Sequence, residues 1–237
     1  GVLVENLGTV NAEKIILTTG TFLNGVMYSG QTKKYGGRLG EKPSIPLSKR
    51  MYGMGLPMGR LKTGTPPRIK LSSLNLEIMD EQPGDLPTPF MSSLQKQHAH
   101  PKQLSCYITR TSATTKKIIE EDLHLSAMYS GQIHGIGPRY CPSIEDKVVK
   151  FKNKDTHQVF IEPEGVNTDL VYPNGISSSL PIETQDQFVR TITGLEDSVI
   201  TEYGYAVEYD FVDPRSLHQT LEPVSYTHLR AHETSRN

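Results

Sequence analysis

The stretch with the most chemical possibility is Gly137-Pro138-Arg139-Tyr140-Cys141-Pro142-Ser143-Ile144-Glu145-Asp146-Lys147. Proline suits the first position of a helix, so Pro142 at that position puts Cys141 at the N-cap. A thiol there faces the positive end of the helix dipole and unpaired N–H groups. Arg139 acts in the same direction, and both favour the nucleophilic thiolate. The same N–H groups could instead hold an anion such as a pyrophosphate. A free cysteine is also commonly a small buried hydrophobe. The residues alone leave these readings open. A second candidate, Gly59-Arg60-Leu61-Lys62-Thr63-Gly64-Thr65-Pro66-Pro67-Arg68, packs three cations, two hydroxyls and two glycines into ten residues. Such a loop can contact phosphates through side chains and closely approaching backbone, or it can be a solvated turn closed by the two prolines. Gly36-Gly37-Arg38-Leu39-Gly40 is a weaker version and is not the GxGxxG of a dinucleotide fold. Glu162-Pro163-Glu164-Gly165 pairs carboxylates that could meet ribose hydroxyls or form a turn.

Metal chemistry has little support. His98 and His100 sit in a proline-flanked loop without carboxylates around them. His228 and His232 have helical i, i+4 spacing but lie near the end of the chain. The two cysteines, Cys106 and Cys141, lack CxxC spacing, so no metal site is expected. Two cysteines also make no disulfide scaffold, and a reducing, cytoplasmic compartment is the simplest reading. Of 237 residues, 25 are Lys or Arg and 26 are Asp or Glu, a formal net charge of -1. That balance excludes a polybasic tail protein and a strongly acidic solvating segment. No apolar run approaches the roughly 18 residues of a membrane span. The first residues lack the basic and apolar regions of a signal peptide, and they begin as though inside a strand. The chain is expected to be a piece of something longer.

The elements that must position these residues follow from periodicity. Gly1–Val4 and Lys14–Thr19 read as strands around an Asn6-Leu7-Gly8 turn. Ile45 to Met54 reads as a helix. Leu71 to His100 has no clean period and reads as a long surface excursion. Gln103–Thr109, His157–Ile161 and Ala206–Phe211 read as strands. Ser112 caps a helix from Ala113 to about Leu123, and helices follow over Pro142–Phe151 and Glu183–Ile192. Strands alternating with helices favour an α/β class.

Seven motifs occur together and in order: TTGTFLNG (Thr18–Gly25), GRLKTGTPPRI (Gly59–Ile69), CYITRT (Cys106–Thr111), GIGPRYCPSIEDKVVKF (Gly135–Phe151), EPEG (Glu162–Gly165), YPNGISSSLP (Tyr172–Pro181) and GYAVEYDFVDPRSL (Gly204–Leu217). Together they resemble the glucose-inhibited division protein A family, the tRNA uridine-5-carboxymethylaminomethyl modification enzymes. The resemblance implies an FAD-dependent enzyme that works with a GTPase partner on the wobble uridine of certain tRNAs. It implies NADH as reductant of the flavin, a folate-borne one-carbon unit as co-substrate, and a homodimer. The implied fold is a partial FAD-binding Rossmann-type domain with an inserted NAD-binding α/β domain. By position, Ser44 matches a flavin contact. The run Gly137-Pro138-Arg139-Tyr140-Cys141-Pro142-Ser143-Ile144-Glu145-Asp146-Lys147-Val148-Val149-Lys150-Phe151 matches the NAD-binding segment. Cys141 matches a catalytic cysteine, consistent with addition of a thiolate to C6 of the uridine. Arg60, Lys62 and Arg68 become tRNA or anion contacts.

The resemblance divides the chain into 1–66 as part of the FAD domain, 67–201 as the inserted NAD domain, and 202–222 as the return to the FAD domain. Residues 223–237, ending SYTHLRAHETSRN, depart from the motifs and read as a non-native tail. The family's Gly-rich flavin loop is not among these residues, so an internal fragment is expected, inactive by itself. A related folate- and FAD-dependent tRNA uridine methyltransferase is the alternative enzyme reading. A non-catalytic nucleotide- or RNA-binding module is the alternative for the fragment alone.

Overall fold

The computed structural model describes residues 1–94, 100–137 and 142–224. His98, the residues from Pro138 to Cys141, His228 and His232 lie outside the described residues. The strands in chain order are β1 (Val2–Val4), β2 (Gly8–Val10), β3 (Val26–Ser29), β4 (Thr32–Tyr35), β5 (Met58–Thr65), β6 (Arg68–Lys70), β7 (Asp80–Gln82), β8 (Cys106–Arg110), β9 (Gln158–Pro163), β10 (Leu170–Asn174), β11 (Ile200–Glu202) and β12 (Tyr205–Val212). The helices are α1 (Ile45–Gly53), α2 (Ala113–Glu121), α3 (Ile144–Lys150) and α4 (Ile182–Val189).

These elements form a mixed α/β protein with two principal sheets. One has the order β4-β3-β12-β5 and the other β11-β6-β10-β9-β8-β7, while β1 and β2 make a separate ribbon. Every ladder among the described residues is antiparallel. The larger sheet buries Ile69, Val159, Ile161 and Val171 against Ile119 of α2, Ile144 and Val148 of α3, and Phe188 of α4. A smaller cluster, Leu23, Met51 and Leu56, seats α1. The chain crosses between the two sheets at Pro66-Pro67 and again at Tyr203-Gly204. Gly204 has no room for a side chain, since a Cβ would lie 2.8 Å from the Thr65 carbonyl and 3.3 Å from Pro67 N. Gln185 of α4 is fully buried beneath this second crossing.

The local signals explain several elements. Pro46 stands in the first turn of α1. Ser112 caps α2, accepting from Thr115 N at 3.1 Å, while Thr115 Oγ1 accepts from Ser112 N at 2.9 Å. This reciprocal pair is a capping box.

Two expectations change, over Lys14–Thr19 and over the excursion from Leu71, and two further elements carry no sequence expectation. Lys14–Thr19 is not a strand: β1 pairs instead with β2 through a turn holding Asn6 and Gly8 at positive φ. Among the described residues no strand pairs with Ile15, Ile16 or Leu17, and Ile16 is 86% exposed. The stretch from Gly25 to Gly40, rich in glycine, contains the β3–β4 hairpin, with Gly30 at φ +52 in its turn. The excursion from Leu71 contains β7, whose Asp80–Gln82 pairs with Cys106–Ile108 of β8. β10 carries Pro173 within the strand, where it sits opposite Ile161 of β9. Among the described residues, no helix is long and apolar enough to cross a membrane.

Candidate functional site

The second sequence candidate is not a loop. Met58 to Thr65 is β5, paired over its whole length with β12. Side chains two residues apart on a strand share a face, so Arg60 and Lys62 stand together. Opposite them are Asp210 and Glu208, their direct cross-strand partners. The result is a paired charge ladder rather than a phosphate cradle.

Arg60 bridges both acids, from Nη1 to Asp210 Oδ1 at 2.5 Å and from Nη2 to Glu208 Oε2 at 3.0 Å. Both acids are almost fully buried. Asp210 Oδ2 also accepts from Ser48 Oγ of α1 at 2.6 Å. Glu208 Oε1 accepts from the backbone N–H groups of His134 at 3.0 Å and Gly135 at 2.6 Å. One hydrogen-bonded chain thus runs from α1 through Asp210, Arg60 and Glu208 to the loop at 134–135. Burial pushes the Glu208 carboxyl upward, but the hydrogen bonds from Arg60, Gly135 and His134 and the Arg60 charge outweigh it, so its pKa lies below the ordinary range.

Lys62 makes the second pair, from Nζ to Asp146 Oδ2 at 3.2 Å, with both side chains largely buried. Asp146 belongs to the cap of α3. Ser143 Oγ accepts from Asp146 N at 3.1 Å, and Asp146 Oδ2 accepts from Ser143 N at 3.2 Å. Tyr129 OH donates to Asp146 Oδ1 at 3.1 Å. Burial would raise the Asp146 pKa, but the Lys62 charge and hydrogen bonds from Lys62, Ser143 and Tyr129 bring it below the usual carboxylate value. Burial and the neighbouring Asp146 push the Tyr129 hydroxyl the other way, well upward.

This cap corrects the sequence reading of Cys141. The N-cap of α3 is Ser143, and the helix spans seven residues. Pro142 therefore precedes the cap, and position 141 lies two residues before it. The dipole argument for a thiolate loses its geometry, because that field fades within the first turn.

Arg68 is also paired. Its Nε donates to Glu164, its Nη1 donates to Thr65 Oγ1 at 2.9 Å and to the Pro66 carbonyl at 2.8 Å, and its guanidinium lies 4.5 Å from the centre of the Tyr172 ring. The Glu164 half of the EPEG motif is thus spent on Arg68. Glu162 accepts from Asn174 Nδ2 at 3.1 Å.

Two parts of the molecule bear on a dinucleotide. Ser44 is the N-cap residue of α1, half-buried, with no side-chain bond to the helix. Its hydroxyl and the first N–H groups of a nine-residue helix suit a polar or phosphate group of a flavin cofactor. Within the run from Gly137 to Phe151, most described side chains face inward. Ile144 and Val148 belong to the core. Glu145 is fully buried, and its Oε1 accepts from Ser179 N at 2.8 Å and from Ser126 Oγ at 3.1 Å. Lys147 Nζ donates to the Gly175 carbonyl at 2.7 Å. Ser143 to Val149 thus fits a scaffold better than a dinucleotide contact. Of the described positions, Gly137 and Pro142 are half-buried, while Lys150 and Phe151 are exposed. Among the described residues, no three His, Cys, Asp or Glu side chains are grouped to hold a metal ion.

Sequence reasoning passed over Glu208 and Asp210, which an alternating strand leaves looking like its solvent face. The usable signal was the matched spacing: R-x-K on one strand and E-x-D on another.

The chain matches the family model described as glucose inhibited division protein A over residues 1–231. It is similar to GidA of Aquifex aeolicus in the form I crystal, at 48% identity and a TM-score of 0.77, covering 87% of this chain and 35% of that one. For the form II crystal of the same protein the values are 44% identity and a TM-score of 0.76, covering 87% and 33%. The chain thus spans about a third of the length of these solved relatives. With nearly the whole sequence inside the family model, this chain belongs to the glucose inhibited division protein A family.

Proposed function

We propose that this chain is part of an FAD-dependent enzyme that adds a carboxymethylaminomethyl or aminomethyl group to C5 of the wobble uridine of certain tRNAs. Family membership and the seven motifs support the reading. The observation that carries it is the hydrogen-bonded chain from α1, which begins next to Ser44, to the backbone leading into the segment of Cys141. It ties the helix that follows Ser44 to the backbone at His134 and Gly135 through buried, charge-assisted bonds, which are the strong kind.

In this reading the thiolate of Cys141 adds to C6 of the uridine. The displaced electron pair makes C5 nucleophilic, and loss of the C5 proton later expels the thiolate. A bound flavin would supply the redox chemistry, and a folate would supply the one-carbon unit. Ser44 would hold the flavin, and Gly137 and Pro142 would contact NADH, with Ser143–Phe151 as support. The full protein works in the cytoplasm with a GTPase partner, as a homodimer, and 67–201 forms its inserted NAD-binding domain. Arg60, Lys62 and Arg68 would contact tRNA or another anion only by leaving their carboxylates, so we assign them to building the site.

The test is Cys141→Ser in the full-length protein. Modification of the uridine should vanish while flavin content stays unchanged. Undiminished modification removes Cys141 from the mechanism.

A further inference from the structure

The cations at Arg60, Lys62 and Arg68 are occupied by acids from elsewhere in the chain. A second set lies just before them. Between Lys14 and Lys70 stand 11 of the 25 Lys and Arg residues but only 1 of the 26 Asp and Glu residues, Glu41. That run carries a net charge of +10, and the remainder of the chain carries -11. Six of its cations, Lys33, Lys34, Arg38, Lys42, Lys49 and Arg50, fall on β4, the turn after it and α1, and all six are exposed. Arg38 meets Glu41 at 3.8 Å with side chains 73% and 53% exposed, a pair worth little in water. The other five form no ion pair among the described residues.

β4 is the outer strand of its sheet, and all of its residues are exposed. On one face, Lys33 Nζ lies 5.7 Å from the centre of the Tyr28 ring and 5.8 Å from that of Tyr35, which is itself 60% exposed. On the other face, Lys34 lines a groove with Met27, Leu39 and Tyr205. Tyr205 OH accepts from Leu39 N at 3.1 Å, which holds the turn carrying Arg38 beside β4. Lysines on an edge strand keep it from pairing with other chains. That explains Lys33 and Lys34, but not Arg38 or Lys42, nor an exposed tyrosine between them. We propose that β4 and the turn after it form an RNA-docking surface, with phosphates on Lys33, Lys34, Arg38 and Lys42 and an unpaired base stacked on Tyr35. Cations that neutralise phosphates, beside an aromatic face that accepts any base, are the two components of single-strand recognition. The choice of RNA over an acidic protein rests on the tRNA-modifying reading above, while the charge and exposure of the surface do not.

The experiment titrates the full-length protein into a fluorescently labelled, unmodified tRNA transcript with uridine at the wobble position, read by anisotropy between about 50 and 200 mM KCl. Lys33→Gln, Lys34→Gln and Arg38→Gln combined should weaken binding roughly tenfold or more. The slope of log K against log salt should become shallower by about 2, at roughly 0.7 for each single-strand phosphate. The control removes the same charge elsewhere, with Lys70→Gln, Lys117→Gln and Lys152→Gln, all exposed, and should stay within about twofold. Tyr35→Ala should weaken binding about fivefold or more with the slope unchanged, because stacking releases no ion. If the triple variant does not fold, Arg38→Gln with Lys42→Gln decides, through a slope shallower by about 1. Unchanged affinity or slope overturns the proposal, whether an acidic protein or the rest of the parent chain takes the surface instead. So does a control that weakens as much as the triple variant, and so does Tyr35→Ala with unaltered affinity. Binding needs no turnover, so the result is separate from that of Cys141→Ser. Normal tRNA binding by the triple variant sinks this surface alone, whereas an unaltered protein that binds no tRNA sinks the tRNA-modifying reading as well.

Discussion

Replacing Gln185 by methionine tests whether the second crossing between the sheets is clamped as described. Gln185 is fully buried. Its Oε1 accepts from Gly204 N at 2.7 Å, and its Nε2 donates to the Gly204 carbonyl at 2.9 Å and to the Leu180 carbonyl at 2.8 Å. Methionine keeps the volume and removes all three bonds. The Leu180 carbonyl retains Ser29 Oγ as a donor at 3.3 Å. The amide N–H and carbonyl of Gly204 have no such replacement, and a buried backbone group without a partner costs about 1–3 kcal/mol. Two such groups give an expected loss of about 3 kcal/mol, near the lower half of that range because some relaxation follows. For a chain of this size that corresponds to a fall in melting temperature of about 6–12 °C, at roughly 2–4 °C per kcal/mol. Thermal and urea unfolding followed by circular dichroism measure it directly. A loss below about 1 kcal/mol would refute the argument, because it would mean that Gly204 finds other partners at once.

Arg60→Met leaves Glu208 and Asp210 buried without their cation, and breaking a buried pair from one side costs about 3–5 kcal/mol. Urea unfolding at neutral pH checks it, and a change within about 1 kcal/mol of zero contradicts the pairing. His157 carries a pH dependence of defined sign. Burial first, and then the charges of Lys147, Lys154 and Lys116, lower its pKa below the ordinary histidine value, and its Nε2 is buried without a partner. The unfolded chain therefore takes up the proton at higher pH than the folded one. Its contribution is complete above the ordinary histidine value and is lost as pH falls from there toward the folded pKa. The unaltered chain should lose more stability than His157→Asn between about pH 7.5 and 5.5. Parallel slopes for the two would disprove it.

Much of this protein was legible in order along the chain. Ser112 and Thr115 announce α2 because a capping box is made within four residues, and Pro46 marks the first turn of α1 for an equally local reason. The motifs likewise carried family membership without any coordinates. What failed to read was whatever depends on a distant partner. Lys14–Thr19 has a strand's composition, but a strand needs a neighbour, and none of the described strands pairs with it. Arg60, Lys62 and Arg68 look like free cations in a loop until β12 brings Asp210 and Glu208 to Arg60, the cap of α3 brings Asp146 to Lys62, and the residue after β9, Glu164, meets Arg68. Those partners lie between 84 and 150 residues away in sequence, and no local pattern specifies a pairing across that distance. The start of α3 was misplaced by two residues because Pro142 and Ser143 are both acceptable openings. The contest is settled by Lys62, which supports the aspartate that completes the serine cap. Sequence alone determined which side chains could do chemistry. Only the tertiary structure decided which were already occupied with one another, since charge pairing depends on distance in space and not along the chain.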